Sequence, residues 1–343
     1  MHIALLVPAP FATISGGYAY DRRMVEGLRS AGHVVDVVQL PGRHPLPDDT
    51  AKRAARHAWQ ALAGDARPVI DGLGLPAFAD LADALAERAV GLIHHPTALE
   101  HGLPESDRTA LREIERRVLP RLPKVIVTST SSRERLQTDF CVAAERVAVV
   151  VPGTDDAPRS PGSGGPGCAI LAVGTLVPRK GHDVLLRALA RLFDLDWSLA
   201  IVGSAIRDPA HARALETLAE ELGIGRRVRF AGEVDDAALD HLWHGADLFA
   251  LATQWEGYGM AVAEALKRGL PVAIASGGAA GLLVPVEAGV ICPPGDHEGL
   301  SKAMRRLIFD ADLRRSMAET AWQAGRLLPD WTTQTAAFAA ALA

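Results

Sequence analysis

The feature that most constrains the fold is the regular alternation of short, continuous apolar runs with longer amphipathic ones. HIALLV, HVVDVVQL, VGLIHH, KVIVTS and RVAVVV read as strands, separated by helix-like stretches such as YAYDRRMVEGLRSAG, FADLADALAERA and SSRERLQTDF. Strands apolar throughout, each followed by a helix, predict a parallel sheet covered on both faces. The alternation stops at residues 154–167, where TDDAPRSPGSGGPG is rich in Gly, Pro and Ser and has no period. It resumes with AILAVGT, SLAIVGS, RVRFAG, DLFALAT and PVAIAS. The chain of 343 residues is long for one domain. The prediction is an α/β protein of two tandem Rossmann-like, doubly wound parallel-sheet domains, at 1–153 and 168–328, joined by a linker at 154–167. The Ala-rich segment 329–343 predicts a last helix that packs back on the first domain.

Open α/β sheets bind ligands at the carboxyl ends of their strands, and two in tandem predict a cleft between them as the active site. The strand-to-helix loops are therefore where chemistry is expected. After DLFALAT comes QWEGYGMAVAEALKRGLPV, with Glu256 and Glu264 eight residues apart and Gly257 and Gly259 flanking Tyr258 just before Met260. Small residues there let a ligand approach the backbone, and the free amides of a first helical turn favour an anion. Eight residues is a little over two helical turns, so the two carboxylates fall near one face and can accept from sugar hydroxyls. The plainer alternative is a helix cap at Glu256 and a solvated Glu264.

AILAVGTLVPRKGHDVLLRAL runs a buried strand into Gly174 and Thr175, then into Arg179-Lys180-Gly181. Two cations at such a loop suit a diphosphate, with Lys180 as a point charge and Arg179 as a fork; a solvated basic turn is the alternative. After the first strand, Gly16-Gly17 offers backbone amides to a phosphate or sugar, although G-x-G-x-x-G is absent and the pair also reads as a turn. His94 and His95 end VGLIHH, where a histidine can donate to a sugar hydroxyl or serve a purely structural role. Arg112, Arg116 and Arg117 give RTALREIERRVLPRLPK a basic face. It reads as a solvated helix, with weak peripheral contact to an anionic membrane surface as the alternative.

Composition narrows the classes. A net charge of -5 gives no footprint for nucleic acid. The 3 cysteines are far apart, which predicts no zinc site and a reducing, cytoplasmic setting, or the inner membrane face if the basic helix docks there. MHIALLVPAP is too short an apolar run for a leader and reads as the first strand.

Taken together, these segments resemble the family-4 retaining glycosyltransferases of GT-B fold (glycosyl transferases group 1). Glu256-Gly257-Tyr258-Gly259 through Glu264-Ala265 is similar to that family's E-x7-E motif, and Gly269-Leu270-Pro271-Val272 to the G-x-P-V after it. VGTLVPRKGHDVLLRAL is similar to its donor-phosphate segment, and Gly277-Gly278 and Pro294-Gly295-Asp296 to its later loops. The resemblance implies a hexosyltransferase-class enzyme moving sugar from a nucleoside diphosphate sugar to a hydroxyl of a glycan, lipid or small molecule, with retention and without cofactor or metal. It implies Lys180 on the diphosphate, Glu264 on the ribose and Glu256 on the transferred sugar. The amides from Gly257 to Met260 would meet sugar and phosphate, Gly16 and Gly17 would lie near the phosphates, and His94 or His95 near the sugar. Two positions depart from the pattern. Thr175 stands where Arg is frequent, leaving Arg179 as the second cation, and Leu282 stands near an expected Glu. Another GT-B enzyme such as a sugar-nucleotide epimerase is the alternative, and a nicotinamide-dependent dehydrogenase a more distant one.

Overall fold

The computed structural model describes residues 1–343 except His101. The chain divides into two compact units, one of Met1–Gly153 with Pro329–Ala343 and one of Thr154–Leu328.

The first unit holds six parallel strands: β1 (His2–Pro8), β2 (Val34–Leu40), β3 (Ala66–Asp71), β4 (Val90–Ile93), β5 (Lys124–Val127) and β6 (Val147–Val149). Their order is β2-β1-β3-β4-β5-β6. The central β1 is buried along nearly its whole length, whereas edge strand β2 exposes alternate residues. Around them lie α1 (Gly16–Ser30), α2 (Asp49–Ala61), α3 (Ala82–Arg88), α4 (Glu105–Val118) and α5 (Thr130–Phe140). The stretch FADLADALAERA is one helix in the sequence reading. Its first half instead belongs to a tighter turn, Leu75–Leu81, which has a proline in its first positions, and only Ala82–Arg88 is α-helical.

Helix α1 turns Asp21, Met24, Val25 and Leu28 inward at i, i+3, i+4 and i+7. The C-terminal helix Trp331–Leu342 packs on α1. Tyr20 meets Trp331 edge-on at 5.9 Å, and Phe338 and Leu342 join the core over β1 and β3. Arg67 Nε closes the end of that helix by donating to Leu342 O at 3.1 Å.

The second unit repeats the plan with β7 (Cys168–Val173), β8 (Trp197–Val202), β9 (Val228–Gly232), β10 (Leu248–Leu251), β11 (Val272–Ala275) and β12 (Gly289–Cys292). The order is β12-β11-β10-β7-β8-β9. Its helices are α6 (His182–Ala190), α7 (Pro209–Glu221), α8 (Asp236–His244), α9 (Met260–Lys267), α10 (His297–Phe309) and α11 (Ala311–Arg326). Residues 154–164 form neither helix nor strand but are strapped to this unit. Ser160 N donates to Arg268 O at 2.9 Å, and Asp247 accepts from Ser163 and from Ala169 N.

In each sheet the chain winds outward from a central pair, β1/β3 in the first and β7/β10 in the second. The crevice at such a reversal is where α/β sheets take ligands. Among the described residues, no helix is long and apolar enough to cross a membrane.

Candidate functional site

At the β7/β10 reversal the loops after the two strands are locked together. The turn Pro178–Lys180 after β7 ends in Gly181, whose φ is +60°. A Cβ at Gly181 would lie 1.9 Å from Ala252 O, so only glycine lets the turn press against the end of β10. Gln254 N donates to Arg179 O at 2.8 Å, and Thr253 Oγ1 lies 3.0 Å from the same oxygen.

This contact sets the side chains. Lys180 Nζ lies 2.5 Å from Glu256 Oε1, Arg179 Nη1 lies 3.5 Å from the same oxygen, and Thr253 Oγ1 donates to it at 3.1 Å. Arg179 Nη1 also donates to Trp255 O at 2.8 Å. Glu256 is 8% exposed. Burial alone would raise its pKa, but Lys180, then Arg179, and the hydrogen bonds from Lys180 and Thr253 outweigh it and hold the carboxylate below its ordinary value. The backbone of Glu256 is fixed from β11's loop: Glu256 N donates to Gly277 O, and Ala279 N to Glu256 O. Gly278 has a φ of +78°, and a Cβ there would lie 2.3 Å from Glu256 O. The Gly277-Gly278 pair is therefore required by this close approach.

The helix starts separate into two kinds. In the second unit α7, α8, α10 and α11 each have an Asp side chain accepting from a first-turn amide: Asp208, Asp235, Asp296 and Asp310. Helices α6 and α9, which follow the two strands of the reversal, start from Gly181 and Gly259 in left-handed conformation, with no side-chain cap among the described residues. With no side-chain acceptor at either start, these helix N-termini are open to an anion, and α6 directly follows Arg179 and Lys180.

Glu264 projects from α9 and is half-buried; burial pushes its carboxyl up to about 7, with Arg268 opposing and Asp155 and Asp240 adding to the rise. Tyr258 is buried, which raises its phenol to about 12. Thr175 follows the turn at Gly174, whose carbonyl accepts from the buried His182 Nε2 at 3.2 Å. Burial holds His182 down to about 4, so it anchors the turn as a neutral ring. Leu282, near the place of the expected Glu, is 74% exposed.

In the first unit, Gly16 opens α1 behind Ser15, whose hydroxyl accepts from Tyr18 N. A Cβ on Gly17 would touch the His94 ring at 3.2 Å, so it is His94 that lies against the glycine turn. His94 Nε2 is 2.9 Å from Asp21 Oδ1 and 3.7 Å from Asp71 Oδ2. His95 is half-buried beside it. The loop that follows is clamped by the buried Glu115, which accepts from Thr97 N, Thr97 Oγ1 and Ala98 N. On α4 the face carrying Arg112, Arg116 and Arg117 is partly engaged, with Arg116 Nε donating to Asp139 O at 2.9 Å.

The sequence reading missed Thr253, His182, Asp21 and Asp71. Asp71 closes an apolar strand and Asp21 interrupts an apolar helical stripe, and each is a signal of buried polar function.

Residues 155–324 match the family described as Glycosyl transferases group 1. A D-inositol 3-phosphate glycosyltransferase of Corynebacterium urealyticum is 30% identical over 246 residues, covering 65% of this chain and 56% of that protein. The chain spans little more than half the length of this relative and of the one from Corynebacterium kroppenstedtii (52%). A sucrose-phosphate synthase from Thermosynechococcus elongatus has a similar structure, with a TM-score of 0.82 at 20% identity, covering 99% of this chain and 98% of that one. Anabaena HepE, solved in complex with UDP-glucose, gives 0.79 at 19%, covering 99% of both chains. The second unit is therefore a glycosyl transferases group 1 domain, and the chain resembles the GT-B glycosyltransferases of that group in fold throughout its length.

Proposed function

We propose that the chain is a retaining glycosyltransferase that takes a nucleoside diphosphate sugar in its second unit and passes the sugar to an acceptor hydroxyl without a metal. One observation carries the reading. Of the second unit's described helices, the two at the β7/β10 reversal, α6 and α9, lack a side-chain cap; α6 directly follows Arg179 and Lys180, and the loop leading into α9 carries Glu256, which pairs with both. Uncapped amides and two cations at one place suit a diphosphate. That the HepE structure holds UDP-glucose supports a nucleotide-sugar as the donor class.

In this reading the diphosphate displaces Glu256 from Lys180. The bond between the anomeric carbon and the phosphate oxygen breaks, and its electron pair stays on the diphosphate. Lys180, Arg179 and the amides near Gly257 to Met260 hold the resulting charge, as a preorganised electrostatic site does. The acceptor oxygen bonds to the anomeric carbon on the face the phosphate left, and its proton passes to a leaving phosphate oxygen. Glu256 accepts from hydroxyls of the sugar and orients it, Glu264 accepts from the ribose, and His94 donates to the sugar from the first unit. Gly16 and Gly17 leave room near the phosphates. The acceptor belongs to the first unit's loops, and weak contact of Arg112, Arg116 and Arg117 with a membrane surface is a separate arm of the proposal.

A thermal-shift panel of nucleotide-sugars in EDTA tests the reading, since a bound donor raises the melting temperature by mass action. At least one nucleoside diphosphate sugar should shift the melt, and the product of transfer should keep the donor's anomeric configuration. A panel without a shift, or an inverted product, would overturn it.

A further inference from the structure

Three ionisable side chains from three separate elements converge at the β1/β3 reversal of the first unit. Asp21 comes from α1, Asp71 ends β3 and His94 follows β4. Both aspartates are buried. His94 keeps a side-chain exposure of 22%, and its Nε2 faces both carboxylates, 2.9 Å from Asp21 Oδ1 and 3.7 Å from Asp71 Oδ2. The ring is also held by packing: Gly17 lies against Cδ2, and Tyr20 stands edge-on at 5.2 Å. Asp71 is itself fixed, its Oδ1 accepting from Leu73 N at 2.8 Å.

A buried carboxylate is costly unless paired, and an apolar residue at position 21 would complete the stripe of α1. Packing of the first unit does not call for this triad. We propose that Asp21 is a positioning residue for the sugar transfer, holding the His94 ring through Nε2 so that its other nitrogen, Nδ1, is left for the transferred sugar. The proposal rests on the role given to His94 in the transfer.

The charges of the cluster fit this arrangement. Burial alone would lower the pKa of His94, but the charge of Asp21 and its hydrogen bond, then the charge of Asp71, raise it. Burial, then the charge of Asp21, push Asp71 up to about 7, against the opposing effect of His94 and the amides of Leu73 and Gly74. Tyr20 also packs on the ring. Burial raises its phenol well above the ordinary value, so it stays neutral while its hydroxyl donates to Val150 O. The rise at His94 favours its cationic form and the rise at Asp71 its neutral form, so the site avoids burying Asp71 as an uncompensated anion.

The test compares wild type, Asp21→Asn, His94→Ala and the double variant with the donor found by the thermal-shift panel. Asp21→Asn should lower kcat by about 10-fold or more, leave the donor KM within about threefold, and move the alkaline limb of the kcat profile to lower pH by roughly one unit. The double variant should be no slower than His94→Ala, because Asp21 acts through that ring. In wild type, ring 15N shifts of His94 should show Nε2 protonated and the ring titrating at a higher pH than an ordinary imidazole; a ring with an unprotonated Nε2 would overturn the proposal even if a variant fails to fold. Wild-type kcat and pH profile in Asp21→Asn, with Glu256→Gln impaired, overturns the proposal and leaves the functional reading standing. A His94→Ala enzyme with wild-type turnover overturns the role of His94 and the proposal with it. A divalent ion that copurifies with wild type and is lost from Asp21→Asn overturns it in favour of a metal site.

Discussion

Lys180 Nζ and Glu256 Oε1 lie 2.5 Å apart, although they belong to different strand-to-helix loops, after β7 and after β10. The pair joins the two sides of the sheet reversal and keeps a buried carboxylate ionised. It is also the pair that a diphosphate must open, because its oxygens compete with Glu256 for the ammonium. Lys180→Met should therefore reduce kcat/KM for the donor by about 10²–10³-fold, the range for losing one charge-stabilising group. Steady-state kinetics at constant ionic strength measures it.

Glu256→Gln separates charge from shape. It keeps two acceptor and donor positions but no longer neutralises Lys180 and Arg179. Turnover should fall by roughly 10²-fold while the fold is retained, and unchanged turnover and donor affinity would remove Glu256 from the mechanism. The same variant reports on acid stability. The carboxylate's folded pKa lies below its ordinary 4.5, so its stabilising contribution is present above that value and is lost as pH falls through the folded pKa. Wild type should lose melting temperature below about pH 4.5 more steeply than Glu256→Gln does.

Glu264 behaves in the opposite sense. Its folded pKa is raised to about 7, so folding favours the protonated form, and stability is lost as pH rises through that value. Glu264→Gln should gain melting temperature relative to wild type on going from pH 5.5 to 8.5. As an acceptor of ribose hydroxyls the group serves best ionised, so nucleotide affinity in wild type should rise over the same interval. Calorimetric titration at several pH values should show that rise flattened in Glu264→Gln.

Gly181 is the backbone condition for the whole arrangement. A Cβ 1.9 Å from Ala252 O at a φ of +60° forces the turn away from β10. Gly181→Ala should cost about 2–4 kcal/mol in urea unfolding of the second unit. It should weaken donor binding as well, since Arg179 O no longer meets Thr253 and Gln254.

The architecture was legible in the sequence because central strands such as β1 and β10 are buried along almost their full length and carry no alternation to confuse them with amphipathic segments. Most donor-side residues were legible because they fall in two contiguous stretches, 174–181 and 256–264, each following an apolar run; Thr253, inside the second run's end, was not. Asp21, Asp71 and His94 were not legible as a group, since only the neighbouring positions of β1, β3 and β4 bring them together. The choice between His94 and His95 depends on which ring meets Gly17, a property of the loop after β4 that no local pattern encodes. The uncapped starts of α6 and α9 were half visible, as glycines at the start of each helix; the contrast with the Asp-capped helices needs the structure.

The most direct test of the central claim is donor binding by isothermal titration in EDTA, comparing wild type with Lys180→Met. Wild type should bind a nucleoside diphosphate sugar without metal, and Lys180→Met should bind it about 100-fold more weakly. Equal affinity in the two proteins, or binding that appears only when a divalent metal is added, would contradict the claim.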